Sequence, residues 1–163
     1  MSNSSINELG IGFKAMSAAF TGFNESTLQG TGLNDVYLQT VCNALNQTLV
    51  EELIALYATL VLENPDNPKG LKHAMRHQIF ASPKWAPLAQ NIIQLWYTGT
   101  WNQMSFDWTQ AYGPFFPNDN TAIVSSDSYK QGLIWKAVGA HPMGAKQEGF
   151  ASWAFPPPSA PEN

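Results

Sequence analysis

The first apolar pattern along the chain is Phe13, Met16, Phe20 and Phe23, spaced three and four residues apart as on one face of a helix. It predicts a helix that ends near Gly22. Residues 23–33 carry Gly30-Thr31-Gly32 among polar side chains and read as a loop. Asn34 stands where a cap would open a second helix, with Tyr37, Val41, Ala44 and Leu45 inward and an end near Asn46. Thr48 opens a third, with Glu51 and Glu52 in its first turn, where negative charge complements the helix dipole. From Leu53 to Leu62 nearly every position is apolar, which predicts a helix wrapped on most sides at the centre of the core. Asn64-Pro65-Asp66-Asn67-Pro68 stops it, because proline lacks the amide N–H and disfavours helical geometry at the residue before it.

A fourth helix is predicted over 69–80. A fifth spans 86–97 with Leu88, Ile92, Ile93 and Trp96 inward, starting late enough for Pro87 to fall in the first turn. Beyond Gly99 the periodicity dissolves: Trp101, Trp108, Trp135 and Trp153 stand among glycines, prolines and other aromatics. One more helix is predicted over 126–138, capped by Ser126 or Asp127 and packing Leu133, Ile134 and Val138. The expected fold is all-α, an irregular helical bundle of about five to six helices with a long aromatic-rich C-terminal loop region. No polar linker divides the 163 residues, so a single domain is expected, with flexible ends at about 1–12 and 157–163.

Charge changes this picture. Charged residues are 12% of the chain, about half the roughly 25% of an average soluble domain. A surface so sparsely charged points to an exterior partly covered by another protein; an amide- and hydroxyl-rich surface is the alternative. The net charge is −4 with an isoelectric point near 5.2, and Arg76 is the single arginine. Nucleic acid is excluded as a partner class, since phosphate binding needs a clustered positive field. The Leu53 to Leu62 run falls short of the ~20 residues of a membrane span, so no transmembrane segment is expected. Met1-Ser2-Asn3-Ser4-Ser5 is polar and no export signal follows, which leaves a periplasmic location if a leader has been removed and a cytoplasmic one otherwise.

Candidate chemistry is sparse. His73 and His77 stand four apart on a helix, a spacing that can share a metal ion. Ala74 occupies the place where a metallohydrolase carries its glutamate, and Lys69, Lys72 and Arg76 surround the pair with positive charge. The segment reads as a solvated or partner-facing basic helix. His141 has no adjacent acid to orient it as a general base and reads as a loop histidine anchoring backbone. Gly30-Thr31-Gly32 lacks the third glycine of a dinucleotide cradle, and Glu51 and Glu52, being adjacent, point to different faces. Cys42, the one cysteine, reads as a small buried hydrophobe. The chain is expected to carry no catalytic, cofactor or metal site of its own.

Four segments carry a family resemblance. The stretch from Phe13 to Phe23 is similar to the opening helix of the small subunits of bacterial FAD-dependent, multi-subunit sugar and polyol dehydrogenases, among them sorbitol, fructose, glucose and gluconate dehydrogenases. Ile92-Ile93-Gln94-Leu95-Trp96-Tyr97-Thr98-Gly99 resembles their apolar helix ending in Trp-Tyr-x-Gly. Tyr129-Lys130-Gln131-Gly132-Leu133-Ile134-Trp135 resembles their Tyr-x-x-Ala-Leu segment, and Gly139 to Gly144 with Gly149 and Trp153-Ala154 resembles their Gly-x-Trp-Ala tail. The segments stand in the family's order.

The resemblance implies a non-catalytic subunit that binds a large FAD-containing subunit, supports its maturation and often its export, with a cytochrome c subunit often completing the assembly. The flavin then belongs to the partner. Where many relatives have a tail cysteine, this chain has His141-Pro142-Met143, so no covalent tie through that position is expected. Trp101, Trp108, Tyr129, Trp135 and Trp153 are the expected partner-contact anchors, because large rigid aromatics are enriched at interfaces; ordinary core packing is the alternative for each. Two other classes stay open: an independent helical enzyme with a histidine-based metal site, and a free-standing helical ligand-binding module.

Overall fold

A computed structural model describes residues 3–113 and 116–143. The fold is all-α and irregular, with two very short strands. Helix α1 (Asn3–Thr21) begins inside the stretch expected to be a flexible end. Its apolar stripe starts a turn earlier than the phenylalanines mark, with Leu9 preceding Phe13 and Met16 at the same helical spacing. Gly12 lets α1 approach α4 closely, since a Cβ there would lie 2.7 Å from Ile54.

The expected loop over 23–33 is instead a short helix, α2 (Glu25–Thr31). Asn24 caps it, its side-chain oxygen accepting from the Thr27 amide at 2.8 Å, and Leu28 is its single buried residue. Helix α3 (Asn34–Ala44) buries Tyr37, Leu38, Val41 and Ala44. Asn34 is not its cap; the side-chain Nδ2 of Asn34 donates to the Gly10 carbonyl at 3.1 Å and ties α3 to α1.

Helix α4 (Gln47–Glu63) is capped by Asn46 rather than Thr48, which moves Glu51 and Glu52 out of the first turn. It is also not the centre of the core. Leu49, Val50, Leu53 and Leu60 are buried, whereas Leu62 is 81% exposed and Ala55, Ala58 and Val61 face solvent. Helix α5 (Pro68–Gln78) starts as expected, with Asn67 accepting from the Gly70 amide and Pro68 at the first helical position.

The centre is α6 (Trp85–Thr98), which buries Leu88, Ala89, Asn91, Ile92, Leu95 and Trp96. It packs against α1 and α3 on one side and against the C-terminal elements on the other. Gly99, in the left-handed region at φ 73°, ends it. Strands β1 (Thr100–Trp101) and β2 (Ala122–Ile123) pair antiparallel, with Thr100 opposite Ile123. Between them lies α7 (Phe106–Tyr112), capped by Ser105 and not anticipated from periodicity.

The single helix predicted over 126–138 is two, α8 (Ser126–Gln131) and α9 (Leu133–Ala137), and its cap is Ser125 in a reciprocal arrangement with Ser128. The break falls at Gly132, where a Cβ would lie 2.6 Å from the Tyr97 carbonyl oxygen. Leu133 is buried, but Val138 is exposed.

Tyr37 and Trp96 meet edge to face in this core with ring centroids 4.8 Å apart. The Tyr37 hydroxyl has no hydrogen bond of ordinary geometry, and burial pushes its pKa well above the usual tyrosine value, with the nearby Ser128 hydroxyl opposing part of that shift. A buried hydroxyl without a good partner costs its desolvation. Tyr37→Phe is therefore expected to leave stability unchanged or raise it by up to about 1 kcal/mol. A fall in the urea midpoint equivalent to more than that would show that the hydroxyl makes a stabilising bond.

Candidate functional site

The most organised polar structure is built on the outer flank of α6 from the chain between Gly99 and Val124. Asn91 is buried on α6 and treats residue 102 as a strand would: its Oδ1 accepts from the Asn102 amide at 3.1 Å, and its Nδ2 donates to the Asn102 carbonyl. The Asn102 side chain in turn donates to Gln94 Oε1 at 2.7 Å. These bonds fix the chain leaving β1 against the helix.

Asp119 then closes the loop. It is 4% exposed, and its two oxygens accept from the Trp101 indole N–H at 2.8 Å and the Met104 amide at 2.9 Å. The Thr121 hydroxyl accepts from the Gln103 amide at 2.9 Å alongside it. Both Asp119 oxygens are thus engaged in holding backbone and indole, which suits a structural carboxylate and not a general base waiting for a substrate proton.

Trp108 on α7 completes the unit, donating its indole N–H to the Lys84 carbonyl at 2.8 Å and packing near Phe116 and Tyr112. An open groove of about 650 Å³ lies over this loop. Gln103, Gln110 and Thr109 supply neutral polar groups, and Met104, Phe106 and Phe116 supply apolar wall. Phe106 is 73% exposed. Asp119 also lines the groove, with both oxygens engaged by Trp101 and Met104, and the remaining lining can seat an apolar or aromatic group with one or two hydrogen bonds at its rim.

The expected anchors separate into three kinds. Trp101 and Trp108 are 2% and 4% exposed, so they are core residues of this chain and not surface anchors. The reason is chemical: each indole N–H has an internal acceptor, Asp119 or the Lys84 carbonyl, so each can be buried completely at home. Tyr129 and Trp135 are half-buried and form one unit across Gly132, with rings at 5.4 Å and the Trp135 indole donating to the Tyr129 carbonyl at 2.7 Å. Trp153 lies outside the described residues, as does most of the tail segment.

Phe106 escaped the sequence reading. Its signal was local: Ser105 followed by Asp107 is a helix-start pattern that places Phe106 at the first position of a short helix. Of the remaining candidates, His73 and His77 are both exposed with rings 4.3 Å apart. Among the described residues no group of three His, Cys, Asp or Glu side chains could hold a metal ion together. His141 is exposed. Burial, and behind it the charge of Glu51, pushes the half-buried Cys42 thiol up to about 11, which keeps it protonated and unreactive near neutral pH. Among the described residues no helix is long and apolar enough to cross a membrane.

No protein-family model, curated protein or solved structure matches the chain.

Proposed function

We propose that the chain is a non-catalytic accessory subunit that binds, stabilises and helps mature a large FAD-dependent oxidoreductase acting on a sugar, polyol or sugar-like substrate. The observation that carries the docking role is the set of large apolar side chains left outside on the C-terminal half: Phe106, Ile123, Val138 and Met143 are all exposed, and the Tyr129–Trp135 pair is half covered. A chain with so little charge has few other ways to shield such groups than a partner. The resemblance of four segments, in order, to the small subunits of such dehydrogenases is what supports a flavoprotein as the partner. The flavin, the substrate site and any cytochrome c subunit belong to the rest of that assembly.

Co-expression of the large flavoprotein with and without this chain tests the reading. Omission is expected to lower the flavoprotein's yield or its flavin loading several-fold, as loss of a stabilising partner does in cells. A flavoprotein with unchanged yield and loading would count against it. Phe106→Asp, which changes an exposed residue and leaves the core alone, is expected to weaken co-purification about tenfold if this surface docks.

The groove beside Phe106 favours one second reading, a free-standing ligand-binding module, because its volume lies in the roughly 300–1,000 Å³ range of small-molecule sites. A monomeric chain that unfolds cooperatively and retains no flavoprotein in a pull-down would favour that module.

A further inference from the structure

The outward face of α5 is the densest run of cations among the described residues. Lys69, Lys72, His73, Arg76 and His77 recur at i, i+3, i+4, i+7 and i+8, the positions of one helical stripe, and all five are exposed. The opposite stripe, Leu71, Ala74, Met75 and Ile79, packs into the core. The helix holds no acidic residue. Of the other cations among the described residues, Lys84 pairs with Glu52 at 2.6 Å, Lys130 with Asp127 at 3.3 Å and Lys14 bonds Gln29, while Lys136 stands singly on α9. Lys69, Lys72 and Arg76 have no ion pair among the described residues.

This arrangement works against the helix that carries it. Lys69 puts a positive charge in the first turn, at the positive end of the dipole, and Lys72 and Arg76 are like charges four residues apart. Arg76 and His77 in the last turn are the exception, since the dipole favours them there. A solvated face under no other demand would interleave signs.

We propose that this stripe is a docking site for an acidic segment of a partner protein, one presenting carboxylates along a helix face at matching one-turn spacing. Three observations favour a protein over other polyanions. Apart from Pro68 at its first position, α5 exposes no apolar side chain, so the helix has no large group to insert into a lipid surface, and its apolar face is committed to the core. Three cations neutralise too few phosphates to hold a duplex. Carboxylates spaced along a helix can meet Lys69, Lys72 and Arg76 together while the two imidazoles add N–H donors. The inference deepens the accessory-subunit reading by giving it a second, electrostatic contact, and rests on that reading only for the partner's identity.

The test uses the full chain and a synthetic helical peptide with glutamates at i, i+3, i+4 and i+7, compared with phosphatidylserine vesicles and a DNA duplex. The peptide is expected to bind in low salt and release at about 0.5 M salt, where charges a few ångströms apart are screened. Lys72→Glu with Arg76→Glu is expected to weaken peptide binding at least about tenfold, while Lys136→Glu, an exposed cation on α9, changes it less than about twofold. Both positions are exposed and the substitution exchanges one like-charge pair for another, so the double variant should still unfold cooperatively within about 2 °C of the parent, which separates loss of binding from loss of fold. Equal peptide binding by the double variant, or binding of vesicles or duplex in preference to the peptide, overturns the proposal. If the flavoprotein complex forms equally well with the double variant, the stripe fails as its contact while the accessory reading stands. If no flavoprotein associates but peptide binding behaves as described, the accessory reading fails and the stripe stands.

Discussion

Asp119→Ala is expected to destabilise the protein by about 3–5 kcal/mol, because one side chain satisfies two buried donors of different kinds. Its removal leaves the Trp101 indole N–H and the Met104 amide without acceptors in a place where the carboxylate itself is almost wholly buried. Hydrogen bonds to a charged group contribute about 1.5–3 kcal/mol each, and an orphaned buried donor adds its desolvation cost. Asp119→Asn separates the two: its oxygen can still accept one N–H, but its NH₂ then faces the other donor, so about half the loss is expected. Urea unfolding followed by tryptophan fluorescence measures both. If the alanine variant loses less than about 1 kcal/mol, Asp119 does not organise the loop. The same variant should weaken co-purification with a flavoprotein, since Phe106 and the groove are set by the loop that Asp119 closes.

Gly99→Ala is expected to cost about 3 kcal/mol, for two reasons that add. The residue sits at φ 73°, where an L side chain is strained, and a Cβ there would lie 2.5 Å from the Ser128 carbonyl carbon and 2.6 Å from its oxygen. Neither Ser128 backbone atom can swing away, and the Ser128 hydroxyl bonds the Gly99 carbonyl at 3.1 Å, so α8 would have to lift from the end of α6. Gly22→Ala and Gly32→Ala are the internal comparison. Both glycines are at positive φ with open space around them, so only the backbone strain of about 1 kcal/mol applies. Thermal melts in which all three variants shift equally would show that α8 does not press on Gly99.

The helices legible from the sequence were those with three turns or more of apolar spacing: α1, α3, α4, α5 and α6. Short helices were not, because α2 and α7 each bury only one residue, Leu28 and Trp108, and are held by caps at Asn24 and Ser105. Hydropathy also misplaced the centre of the core. The Leu53 to Leu62 run is rich in small residues that face water, whereas α6 carries Asn91 on its buried face and so reads as less apolar than it is. For the tryptophans the sequence left two readings, their own core or a partner. Burial of Trp101 was decided by an acceptor eighteen residues away, a tertiary fact that no local pattern contains. The basic stripe of α5 was visible in the sequence; that Lys69, Lys72 and Arg76 have no ion pair among the described residues required the fold.

The place of α6 in the chain order bears on how the protein is made. Its covering helices on one side, α1 and α3, leave the ribosome before it, but β1, α8 and α9 follow. At the usual rate of about 5–20 residues per second, the nascent chain carries a central helix with one bare flank for several seconds. During that interval Leu88, Ile92, Leu95 and Trp96 cannot all be covered by the elements that bury them in the finished fold. A nascent chain arrested once residue 110 has cleared the ribosome should therefore bind Hsp70-type chaperones, and one arrested once residue 143 has cleared it should not.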